Sequence, residues 1–170
     1  MRKLMFFAAL AALATLASCG SDSNKEKTAD APAPAADTVA VKRDTLPADR
    51  WMIDNKQKEG VVEANGIQYK ILKEGTGDKP NKRKRVKINF EVRLTNGKLV
   101  ESHMGNDVME LPVSAVIPGL QNALTLMPEG STWEIYIPWD LAYGAEGSKG
   151  IPPYSALIFK VKLIEVVKLK

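Results

Sequence analysis

Five apolar side chains at every second position, Val86, Ile88, Phe90, Val92 and Leu94, alternate with Lys87, Asn89, Glu91 and Arg93. A strand sends successive side chains to opposite faces, so this segment belongs in a sheet with one dry and one wet face. Asn96-Gly97 follows at once and predicts a two-residue hairpin turn. The same period returns where Trp133, Ile135 and Ile137 alternate with Thr132, Glu134 and Tyr136, and again at Leu157, Phe159, Val161 and Leu163. Ile67 to Leu72 makes a weaker fourth strand. Between them the period becomes helical: Ile117, Leu120, Leu124 and Met127 recur around Pro118, and Pro128 and Gly130 end the segment. An α+β fold follows, a twisted antiparallel sheet whose apolar face is covered by that one short helix.

Upstream of this pattern the composition changes. Arg2 and Lys3 precede an apolar run from Leu4 to Ala17, the layout of a secretory signal peptide, and the run is too short to span a bilayer. It ends in Leu16-Ala17-Ser18-Cys19, which resembles the lipobox of bacterial lipoproteins. Residues 1–18 are therefore read as a lipoprotein signal peptide, with Cys19 as the lipid attachment point and the cell envelope as the location. Residues 19–46 carry no aromatic residue and few large aliphatics, too little to offset ordering entropy. They are expected to form a disordered tether with a reach of roughly 30 Å. Residues 47–60 read as a linker helix, with Pro47 in its first turn, Lys56 and Lys58 near its end and Gly60 as its stop. Beyond Trp51, Met52 and Ile53 it has little apolar surface, so light packing is expected. Residues 61–170 hold the folded domain.

The sequence contains one Cys and one His, which excludes an internal disulfide and a zinc site of N/S ligands. Neither metal nor cofactor is expected. The formal charge of +4 falls to +2 once Arg2 and Lys3 leave, because 22 basic residues then face 20 acidic ones. Such a balance implies no nucleic-acid partner. The basic run from Lys79 to Arg85 has no interleaved aromatic residue and reads as a solvated loop. His103 has no G-x-S-x-G nucleophile elbow to serve and reads as an ordinary polar loop residue. Glu74-Gly75-Thr76-Gly77 and Tyr143-Gly144-Ala145-Glu146-Gly147 lack a phosphate-binding frame and read as turns.

A more specific set of motifs runs through the second half: Val116-Ile117-Pro118-Gly119-Leu120, Ala142-Tyr143-Gly144, Ile151-Pro152-Pro153 and Leu157-Ile158-Phe159. In this order they resemble the FKBP-type peptidyl-prolyl cis-trans isomerases, from about Gly66 to the C-terminus. The resemblance implies that Ile117 offers its backbone N–H, and Tyr143 its hydroxyl, to substrate carbonyls. Glu101, which stands where the family has an Asp, would complete the catalytic set with Ile117 and Tyr143, and the fold implied is a twisted antiparallel half-barrel wrapped around one short helix. The resemblance also implies a pocket for the proline ring built from Phe90, Val100, Met109, Val116, Leu120, Ile151 and Phe159. Several of these depart from the family pattern: Phe90 replaces Tyr, Val100 replaces Phe, Leu120 replaces the Trp of the pocket floor, and Met109 takes the place of another aromatic.

The resemblance implies proline-containing polypeptides, or unfolded exported proteins, as partners, with the departures lowering turnover and macrolide affinity. A second reading keeps the same cleft as a non-catalytic chaperone or peptide-binding module, and a third makes the domain an envelope scaffold. Asn55 to Val61 resembles the end of the connecting helix in the macrophage-infectivity-potentiator branch, whose members dimerise through an N-terminal helical domain. Gly20 to Arg50 lacks the apolar content of such a domain, so a monomer is expected.

Overall fold

A computed structural model of the protein describes residues 46–168. The signal peptide, Cys19 and the tether up to residue 45 lie outside the described residues. The elements in chain order are α1 (Pro47–Lys56), β1 (Val61–Ala64), β2 (Ile67–Lys73), β3 (Arg85–Leu94), β4 (Leu99–His103), β5 (Met109–Pro112), α2 (Pro118–Leu126), β6 (Thr132–Ile137) and β7 (Leu157–Val167). The strands form one antiparallel sheet in the order β1-β2-β6-β7-β3-β4, with β5 also on β3. Among the described residues no helix is long and apolar enough to cross a membrane.

β3 is paired along its whole length with β7, from Arg85 opposite Val167 to Leu94 opposite Leu157. Its other edge is divided: β5 takes Arg85 to Ile88 and β4 takes Phe90 to Arg93. At the break the buried Asn89 donates its side-chain amide to the Asp107 carbonyl at 2.8 Å, which ties down the intervening loop. The apolar half of each alternation lands on one face, where Val86, Ile88 and Val92 meet Ile135, Ile137, Leu157 and Leu163. α2 covers this face with Leu120, Ala123 and Leu124. Each large aliphatic so buried contributes roughly 1.5–3 kcal/mol.

Three local expectations change. Of the two Asn-Gly pairs, it is Asn65-Gly66 that makes the two-residue hairpin, joining β1 to β2 with φ of 51° and 76°, as a type I′ turn requires. At Asn96-Gly97 the loop is one residue longer: Gly97 donates to the Leu94 carbonyl, Leu94 donates to Lys98, and Gly97 sits at φ 84°. The predicted helix over 47–60 ends at Lys56, and Gln57 to Gly60 form turns that lead into β1.

That helix also packs more firmly than its composition suggests. Ala48 and Met52 join Tyr136 and Ala156 in a second apolar cluster on the face of the sheet opposite α2, flanked by Trp51, Trp139 and Ile158. Tyr136 and Ile158 occupy the half of the alternation expected to be wet, and they supply the missing apolar patch. Burial, with Glu134 beside it, pushes the Tyr136 hydroxyl up to about 12. The buried Asn55 donates to Gln68 at 3.0 Å, and Gln68 donates to the Met52 carbonyl at 2.9 Å, a polar relay that joins α1 to β2 and leaves the buried Asn55 Oδ1 without a hydrogen-bond partner.

Gly119, in the first turn of α2, lies so close to β6 that a Cβ would overlap the Ile137 side chain. Gly119→Ala is expected to destabilise the domain by about 1–3 kcal/mol, the cost of overpacking, although helix propensity alone would favour Ala by about 1 kcal/mol. Urea denaturation distinguishes the two signs, and a gain in stability would show that α2 can slide away from the sheet.

Candidate active site

Between the core face of the sheet and the entrance to α2 lies an apolar cleft of about 320 Å³. Phe90 of β3 and Phe159 of β7 line it from adjacent strands, their ring centroids 6.3 Å apart. Leu120 contributes a buried side chain from the first turn of α2, and Met109 contributes from β5. Val116 and Ile117 line it from the segment that enters α2. Tyr143 and Ile151 come from the long connection between β6 and β7. Ile88, Val92, Leu111 and Ala115 also belong to the lining and were not singled out from the sequence. The alternation that placed Phe90 in a strand puts Ile88 and Val92 on the same face, so two of these four carried a usable signal.

Val100 and Glu101 are consecutive residues of β4, yet both line the cleft. In a regular strand one of them would turn away. The register shifts here, with Val92 opposite Glu101 and Arg93 opposite Leu99, which leaves Val100 as the extra residue of a bulge. Re-aiming a side chain toward a site is a common use of a bulge.

Ile117 caps α2 with φ −57° and ψ 150°, and its carbonyl accepts the Gln121 N–H at 3.0 Å. The Gln121 side chain reaches back to donate to the Val116 carbonyl at 2.8 Å and braces the segment. Pro118 has no N–H, and among the described residues the Ile117 N–H donates to no protein acceptor. A helix start leaves such donors for a ligand or water.

Tyr143 follows a 3-10 turn at Trp139–Leu141 and is 40% exposed. Its segment is held by the Gly144 N–H, which donates to the Trp139 carbonyl at 2.8 Å, and by the Tyr154 N–H, which donates to Gly144 at 3.0 Å. Trp139 is itself fixed: its indole N–H donates to Asp49 of α1 at 3.0 Å, and the Tyr154 ring meets it edge-on at 5.1 Å. Tyr154 adopts φ 54°, an uncommon conformation for a residue other than Gly, and these contacts hold it there.

His103 is not a loop residue. It closes β4 opposite Phe90, whose ring lies 5.0 Å from the imidazole. Its Nε2 is 2.8 Å from Glu101 and its Nδ1 2.7 Å from Asp107. A neutral imidazole has one donor, whereas an imidazolium has two, so two carboxylates at these distances call for the charged ring. Hydrogen bonds to Glu101 and Asp107 accordingly raise the His103 pKa above 6.5. Because the folded pKa is the higher one, the stabilisation from this clip is complete below the unfolded value and is lost as pH rises through the folded value. Ring NMR titration should place the His103 midpoint above 6.5, with Asp107→Asn lowering it. A wild-type midpoint at or below 6.5 would refute the doubly bonded imidazolium.

The family model for the FKBP-type peptidyl-prolyl cis-trans isomerases matches residues 77–164, just over half of the chain. The chain is 48% identical over 121 residues to a peptidyl-prolyl cis-trans isomerase Mip of Coxiella burnetii, a match that covers 69% of this chain and 53% of that protein. It is 44% identical to the outer membrane protein MIP of Legionella longbeachae, covering 71% of this chain and again 53% of the relative. The chain thus spans about half the length of these curated relatives. Among solved structures, the fold is similar to a peptidyl-prolyl cis-trans isomerase from Pseudomonas syringae pv. tomato, with a TM-score of 0.66 and 38% identity, covering 70% of this chain and 90% of that one. An apolar cleft at the mouth of a short helix, in a sheet of this topology and with this similarity, identifies the chain as a member of the FKBP-type peptidyl-prolyl cis-trans isomerase family, related to its Mip branch.

Proposed function

We propose that the domain catalyses cis-trans isomerisation of X-Pro bonds in exported polypeptides, with reduced turnover, while anchored to a membrane of the cell envelope through a lipid on Cys19. The observation that carries the reading is a cleft whose lining is apolar apart from the Tyr143 phenol and the Glu101 carboxylate, with an unpartnered backbone donor, the Ile117 N–H, on one of its residues. Rotation about an amide is opposed by a barrier of about 18–20 kcal/mol that comes from resonance. Twisting the bond removes resonance and the charge separation that accompanies it, so a water-poor apolar cleft disfavours the planar form relative to the twisted one. No bond is made or broken and no proton is exchanged. Fixed donors at Ile117 and Tyr143 would hold the flanking carbonyls and need no reorganisation during the twist.

The departures from the family pattern argue for a slower enzyme. Leu120 offers a smaller and less flat surface to a proline ring than an indole would, and Val100 replaces a second aromatic. Phe90 has no hydroxyl for the Glu101 carboxylate, which bonds to His103 instead. Each contact worth about 1.4 kcal/mol in the twisted state is a factor of ten in rate. The same loss of aromatic surface supports the second reading, a chaperone that holds proline-containing segments without useful turnover. The low apolar content of Gly20 to Arg50 favours a monomer over a dimer built on an N-terminal helical domain.

In cis/trans exchange measurements on X-Pro peptides the domain should accelerate isomerisation, and Tyr143→Phe should lower kcat/KM by about two- to tenfold, the loss of one neutral hydrogen bond. Unchanged activity in that variant would remove Tyr143 from the mechanism. Family-level turnover with tight macrolide binding would refute the weakened cleft, and absent turnover with retained binding of unfolded protein would select the chaperone. For the anchor, Cys19→Ala should abolish incorporation of labelled fatty acid and release the protein from the membrane fraction; incorporation that persists in the variant would refute attachment at Cys19.

A further inference from the structure

Among the described residues Glu101 is the one charged side chain in the lining of the cleft. Whatever electrostatic preference the cleft has for the residues beside a proline therefore starts at this carboxylate. Its side chain is 56% exposed and is held by one partner, His103, which in turn is bonded to Asp107. We propose that the chain Glu101–His103–Asp107 is a specificity determinant of the cleft: with the imidazole protonated, Glu101 is engaged and neutral segments are accepted, and with it neutral, Glu101 selects substrates with a cationic residue beside the proline. The inference rests on the isomerase reading for its substrate class.

The geometry supplies the switch. The imidazolium spends both N–H donors on the two carboxylates, so the three groups carry a net charge of −1. After loss of the proton one nitrogen becomes an acceptor, one carboxylate loses its partner, and the cluster carries −2. Asp107 belongs to the loop that Asn89 ties to β3 through the Asp107 carbonyl at 2.8 Å, whereas Glu101 stands on the bulged strand at the cleft. Glu101 is thus the carboxylate with a ligand to meet when it is released. The ionisable groups of β3 and β5 are already engaged: Glu91 bonds Arg93 at 2.6 Å, Glu110 bonds Arg85 at 2.9 Å, and Lys87 bonds Glu165 of β7 at 2.7 Å. None of them lines the cleft. The packing of Phe90 against both His103 and Phe159 places the titrating ring directly behind an aromatic of the lining.

The test compares two short peptides that differ only in Lys or norleucine before proline, with kcat/KM read by cis/trans exchange NMR from about pH 6 to about pH 9.5, a range in which the substrate lysine stays mostly charged. The Lys-to-norleucine ratio should rise about two- to fivefold across the His103 titration, the scale of a solvent-exposed charge pair. In His103→Asn the ratio should no longer change with pH, and in Glu101→Gln the preference for Lys should vanish at both ends. A wild-type ratio that stays flat while the His103 ring titrates by NMR would overturn the proposal, and this arm needs no variant to fold. If neither peptide is turned over, the isomerase reading fails by itself. The same ratio, taken then from peptide dissociation constants by chemical-shift titration, supports the charge selection if it rises with pH and overturns it if it does not.

Discussion

The continuous pairing of β3 with β7 is the constraint on which the rest of the molecule depends. Ten residues of β3 are paired with one neighbour along one edge, with a single register shift between Lys87 and Ile88, and this lets the other edge be interrupted without loss of the sheet. The interruption is where the site is made. β4 and β5 divide that edge, and β4, which pairs with four residues of β3, carries the bulge at Val100 that turns a second side chain to the cleft. A sheet with both edges of β3 fully paired would present a flatter surface, with Val100 and Glu101 on opposite faces.

The cleft is specific through scarcity. Its lining is almost wholly apolar, with one charge, one phenol and one backbone donor, each controlled by a structure behind it. Gln121 braces the approach to Ile117, Trp139 supports the segment of Tyr143, and His103 holds Glu101. In a medium of low polarity each such group has a larger effect than it would in water. The same scarcity makes the reaction sensitive to the size of the apolar surfaces, because few polar contacts are present to compensate for a smaller floor at Leu120.

Most of the sheet was legible because β3, β6 and β7 are long enough for a period of two to be unmistakable. β1 and β5 are four residues each: Val61-Val62-Glu63-Ala64 shows no clean alternation, and Met109-Glu110-Leu111-Pro112 is too short for its alternation to stand out. The turn at Asn65-Gly66 was masked by the second Asn-Gly pair, which looks identical in sequence and differs only in the loop that it closes. The ten positions chosen by resemblance all line one cleft, because motifs fixed to turns and helix starts carry their geometry with them. Glu101 and His103 are another matter. Their partnership depends on Asp107, four residues past His103 across a loop, and on a bulge that no periodicity announces. The packing of α1 was hidden for a different reason: Tyr136 was counted with the polar half of its strand, although its ring is buried.

α1 and the cleft use opposite faces of the same strands, yet they meet at Trp139. The three indoles of the chain fall in three settings: Trp133 is stacked on Tyr69 at 4.4 Å, Trp51 lies under the Lys58 ammonium at 5.0 Å, and Trp139 donates to Asp49. The half-buried Trp139 indole finds its hydrogen-bond partner on the helix, while its residue leads directly into the segment of Tyr143. In a chain whose other two indoles are replaced, the emission of Trp139 would therefore gauge whether α1 is seated, only four residues from the phenol at the cleft.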